Sequence, residues 1–87
     1  MTFNLKTYQS QLAQLVALPS VSCGVASWDM SNLPVIELLA NWFSDLGFST
    51  QIIPLPQTDK ANLIATLGSG DGGLVLAGHS DTVPYDA

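Results

Sequence analysis

Leu5, Tyr8, Leu12, Leu15 and Val16 recur at spacings of three and four residues, with Gln9, Gln11 and Gln14 between them. That period predicts an amphipathic helix over residues 4–18, apolar on one face and glutamine-rich on the other. Pro19 ends it, because proline lacks a backbone N–H and pushes the preceding residue toward extended geometry. Residues 20–31 form a polar, glycine-containing stretch and read as a loop. Asn32 is suited to the N-cap of a second helix, Pro34 to its first turn and Gly47 to a left-handed stop. Val35, Ile36, Leu38, Leu39, Trp42, Phe43 and Leu46 cover a wide arc of that helix, so burial on more than one side is expected.

Beyond Gly47 the period changes. Residues 48–55 carry β-branched and aromatic side chains and close on Pro54-Leu55-Pro56; polar residues 57–60 follow, and residues 62–67 read as a second strand. Gly68-Ser69-Gly70-Asp71-Gly72-Gly73 supplies four glycines for positive φ angles, which predicts a hairpin loop. A phosphate cradle is disfavoured there, since neither the lysine nor the helix start of a P-loop follows. Leu74-Val75-Leu76-Ala77-Gly78 predicts a third strand, apolar on both faces and therefore buried. Two helices and then three strands make an α/β layer whose sheet can accept further strands.

Composition sharpens this picture. Lys6 and Lys60 are the only basic residues against seven acidic ones, and charged residues are 10% of the 87-residue chain, where about 25% is ordinary. So few charges on a small chain imply that part of its apolar surface is normally covered. A net charge of −5 excludes a nucleic-acid binder, which needs Lys and Arg for phosphates, and a polybasic membrane-surface module. The longest apolar runs are far shorter than the roughly 20 residues of a membrane span. A single cysteine, Cys23, cannot form an internal disulfide, and the cytoplasm is the expected compartment.

The third predicted strand runs directly into His79-Ser80-Asp81-Thr82-Val83-Pro84, which holds the only histidine. On an extended segment residues two apart share a face, so His79 and Asp81 stand together at the C-terminal edge of a sheet. A metal-ligating histidine needs an acceptor for its other ring nitrogen, and Asp81 can be that acceptor. Read alone, a histidine beside an aspartate is more often a hydrogen-bonded strand end than a ligand. A Ser80-His79-Asp81 nucleophilic site fails on geometry, since Ser80 points to the opposite face. A Cys23–His79 pair has nothing in the sequence to bring it together, and a lone cysteine is usually a packing residue.

The string Leu76-Ala77-Gly78-His79-Ser80-Asp81-Thr82-Val83-Pro84, preceded by Asn62-Leu63-Ile64-Ala65-Thr66-Leu67-Gly68, closely resembles the two-metal amidohydrolase and exopeptidase family. Leu18-Pro19-Ser20-Val21-Ser22 and Trp42-Phe43-Ser44-Asp45-Leu46-Gly47-Phe48 look like its N-terminal region, so the likeness spans essentially the whole chain. The resemblance implies that residues 1–87 are the N-terminal part of an α/β/α zinc-exopeptidase-like catalytic domain. It makes His79 the first metal ligand and Asp81 the catalytic acid that orients it. Two divalent ions, zinc or cobalt, are implied for the full-length parent, with the 87 residues alone metal-free. The implied substrate is a small N-acyl amino acid, with neither nucleic acid nor membrane as partner, and the implied parent is a homodimer. The family's bridging aspartate, paired glutamates and distant histidine have no counterpart here: Glu37 is the only glutamate and reads as a solvated helix charge, and Asp86 offers at most a weak oxygen. An isolated chain that self-associates through its sheet edge and apolar faces is the reading from another class.

Overall fold

The computed structural model describes residues 4–56 and 58–84. Helix α1 (Leu5–Ala17) begins where the Asn4 side chain accepts the Thr7 N–H at 3.1 Å, and it gives way to extended backbone at Leu18, just before Pro19. The predicted apolar stripe is present, yet no residue of α1 is buried, and Leu5, Leu12 and Val16 are exposed.

Helix α2 (Leu33–Asp45) is the centre of the packing. Its end is a Schellman turn: Gly47, at φ 92°, donates to the Ser44 carbonyl and Phe48 donates to the Phe43 carbonyl, both at 3.0 Å. Only a residue free of a Cβ enters that conformation cheaply. The Phe43 and Phe48 rings meet edge to face, with centroids 5.0 Å apart, and lock the turn. At the other end Asn32 stands at the N-cap position, as expected, and its carbonyl accepts the Ile36 N–H at 3.0 Å, but its side chain does not cap. Asn32 makes no side-chain bond to its own helix; its amide instead donates to the Ala61 carbonyl and accepts the Ala61 N–H, both at 2.9 Å. Ala61 is buried, so its backbone groups need protein partners more than the half-buried helix start does. Ser31 Oγ accepts the Leu33 N–H at 3.1 Å in its place.

Strand β1 (Ser49–Pro54) pairs antiparallel with β2 (Ala61–Thr66), Ser49 opposite Thr66 and Pro54 opposite Ala61. Cross-strand partners share a face. Thr50, Ile52, Leu63, Ala65 and Ala61 therefore line one side, while Ile53 and Ile64 lie on the other. Helix α2 packs against both strands, and the buried apolar residues are Val35, Ile36 and Ala40 of α2 with Ala61 and Val21. The result is mixed α/β: two helices and a two-stranded sheet among the described residues.

The third strand is not formed. Gly68, Gly70, Gly72 and Gly73 do take positive φ, but the chain they lead into does not fold back along β2. Leu74, Val75 and Leu76 are 84%, 88% and 87% exposed. A strand needs ladder partners for its N–H and C=O groups, and the described residues offer none to this tract. The whole chain exposes 7072 Å², against about 4,900 Å² for a compact protein of this mass. Its radius of gyration is 14.8 Å, where about 12 Å is usual for this length. The low charge content thus goes with apolar surface left open.

Candidate metal centre

The segment carrying the site is held by the loop that follows α1. Val21 and Thr82 form a parallel bridge: Thr82 donates to the Ser20 carbonyl at 3.1 Å, and Ser22 donates to the Thr82 carbonyl at 3.0 Å. Ser20 Oγ donates to the Ser80 carbonyl at 2.6 Å. On its other side Val21 accepts the Met30 N–H at 2.8 Å. The loop is in turn fastened to the hairpin by Lys60, whose Nζ lies 2.7 Å from Asp29 Oδ1 and 3.3 Å from Ser22 Oγ. The Cys23 N–H donates to the same carboxylate oxygen at 2.9 Å. The Lys60 ammonium first, and then the Cys23 N–H, hold the Asp29 carboxyl below the usual aspartate range.

Within the segment, His79 Nδ1 lies 2.8 Å from Asp81 Oδ1 and 3.2 Å from the Asp81 carbonyl oxygen. A carboxylate and a carbonyl can only accept, so Nδ1 is a protonated nitrogen, and in the neutral ring the lone pair then sits on Nε2, across the ring. The side chains are 81% and 57% exposed. The structure thus brings together the two residues expected to share a face. It does not join Cys23 to them: the Cys23 sulfur accepts the Val25 N–H at 3.4 Å. Glu37 is exposed on α2, and Asp86 lies outside the described residues. Among the described residues no group of three His, Cys, Asp or Glu is placed to hold a metal ion.

Ser20 is the residue to which the sequence assigned no role of its own. It lies in a stretch expected to be loop, within the family-like string Leu18-Pro19-Ser20-Val21-Ser22. Pairing with a segment 60 residues away leaves no period in the chain.

No family model matches the chain. It is 54% identical over 87 residues to an acetylornithine deacetylase of Proteus mirabilis (strain HI4320), covering 99% of this chain and 22% of the relative. The protein of that name from Pasteurella multocida (strain Pm70) is 51% identical over 83 residues, or 94% of this chain and 22% of the relative. The one from Salmonella arizonae (strain ATCC BAA-731 / CDC346-86 / RSK2980) is 56% identical over 73 residues, or 83% of this chain and 19% of the relative. The chain is a homologue of the acetylornithine deacetylases. It spans about a fifth of the length of these curated relatives. The acetylornithine deacetylase likeness runs through both helices, the hairpin and the His79–Asp81 segment, since it takes in 99% of the chain. No helix among the described residues is long and apolar enough to cross a membrane.

Proposed function

We propose that residues 1–87 are the opening part of the catalytic domain of a metal-dependent amidohydrolase. The full-length parent hydrolyses N2-acetyl-L-ornithine to L-ornithine and acetate, a cytoplasmic step of arginine biosynthesis, and works as a homodimer. Identity of about half to acetylornithine deacetylases over nearly the whole chain carries this reading. The exposed tract at Leu74, Val75 and Leu76 supports an α/β/α zinc-exopeptidase-like continuation, in which further strands cover it.

The donor chemistry at the site fits a divalent cation. An imidazole whose Nδ1–H is taken by a carboxylate is oriented, and more basic, at Nε2, which suits zinc or cobalt. When bound as a pair, such ions supply a water of lowered pKa and polarise the acyl carbonyl. His79 contributes the Nε2 lone pair, and Asp81 holds the ring and its tautomer through the 2.8 Å contact. A catalytic zinc site takes three protein ligands, and these residues bring one imidazole. The isolated 87 residues therefore bind metal weakly and turn over no substrate.

The test uses the full-length protein. Wild type is expected to hydrolyse N-acetyl-ornithine in preference to N-succinyl-diaminopimelate and to lose activity to a chelator. His79→Ala is expected to lose bound metal, measured by elemental analysis, together with at least a hundredfold of activity. Unchanged metal content in that variant rejects the ligand assignment, and preference for the succinyl substrate moves the parent to a desuccinylase.

A further inference from the structure

We infer that Ser20 is a positioning residue for the His79–Asp81 pair, acting through the backbone between them. Among the described residues it is the one polar residue with a buried side chain, 5% exposed, while the pair it serves is largely open to solvent. An exposed histidine and aspartate two residues apart do not hold each other at 2.8 Å unless the intervening backbone is fixed. That backbone is the Ser80 peptide, and its carbonyl receives the Ser20 hydroxyl at 2.6 Å. In the parallel ladder set by the Val21–Thr82 bridge, the Ser80 carbonyl is the next acceptor facing residue 20. The hydroxyl fills that rung, and so extends the pairing from Thr82 back to the peptide joining His79 and Asp81. Without it the ladder ends at Thr82, one residue past the pair, and residues 79–81 become free to rotate. Solvated rotamers of His79 then compete with the single geometry in which Nδ1 meets Asp81.

The functional meaning of this role rests on the reading of His79 as a metal ligand, but the role itself can be measured without metal. His79 is the only histidine, so the imidazole nitrogen signals of the 15N-labelled chain assign themselves. At a fixed pH where the ring is neutral, wild type is expected to show the Nδ1–H tautomer. Ser20→Thr and Ser20→Val are nearly equal in size and differ in the hydroxyl. The threonine chain is expected to keep the Nδ1–H pattern, and the valine chain to move to the mixed tautomers of a solvated ring, with β1–β2 amide shifts unchanged in both. Zinc titrated onto the same imidazole signals is expected to bind about tenfold more weakly to the valine chain, the lower end of what loss of ligand orientation costs. Identical tautomer patterns and zinc affinities in the folded threonine and valine chains overturn the inference. Zinc binding that survives His79→Gln removes the ligand reading and the metal part of the inference with it, whereas the metal-free comparison still judges the positioning.

Discussion

Two regions of this chain solve opposite problems. The body, α2 laid on the β1–β2 hairpin, buries Val35, Ile36, Ala40 and Ala61 and satisfies its backbone through the hairpin ladder and Asn32. The arm, residues 68–84, carries His79 and Asp81 but contributes no buried apolar residue, and its position is set by a few hydrogen bonds to Ser20 and Ser22. The difference teaches that folding energy and chemistry are separated here. The body folds on apolar contact, the arm is placed by directional polar contact, and the loop around Val21 couples the two.

Core truncation is the strongest way to break this contrast. Ile36→Ala is expected to cost about 2–5 kcal/mol, the usual range for a buried isoleucine, and Val75→Ala less than about 0.5 kcal/mol, as at an exposed site. Urea unfolding of the two variants checks this, and equal losses would mean that the arm is packed after all. Asn32→Ala comes next. It strips the partners from both backbone groups of Ala61, at about 1–3 kcal/mol for buried groups left unsatisfied. Hydrogen exchange should accelerate at the Ala61 amide before the rest of the hairpin; uniform acceleration would assign Asn32 to global packing instead. The smallest effect belongs to the Asp29–Lys60 tie. A carboxyl held below its ordinary value, about 3.9, stabilises the fold above that value and loses the contribution as pH falls through the lower folded value. The Cys23 amide, which donates to Asp29, reports it: its shift should stay flat down to about pH 4 and move only below. Lys60→Met should raise that midpoint toward the ordinary value, and a midpoint already ordinary in wild type would leave the loop without its electrostatic anchor.

The body was legible because its signals are local. The periods of α1 and α2, the Pro19 and Gly47 punctuation and the β-branched run of β1 each depend on neighbours within a turn or a strand. The His79–Asp81 contact was legible for the same reason, as residues two apart on extended backbone share a face. Asn32 takes the N-cap position that the sequence predicts, but a cap and a tertiary bond draw on the same amide, and the buried Ala61 backbone won its side chain. The third strand was overread: Leu74-Val75-Leu76 has the composition of a buried strand, but burial needs a partner, which composition cannot provide. Homologues several times longer show how much chain can surround such a tract.

By itself, then, the sequence determined which segments are helical, where they stop, and which two side chains can share a proton at the end of the arm. Those outcomes follow from steric and hydrogen-bonding preferences within a few residues. Only the tertiary structure decided that Asn32 serves Ala61, that Lys60 anchors the loop, and that Ser20 reaches across to the Ser80 carbonyl. Each is a directional contact between residues some 30 to 60 positions apart, and such a contact exists only once the apolar core has brought its two ends together.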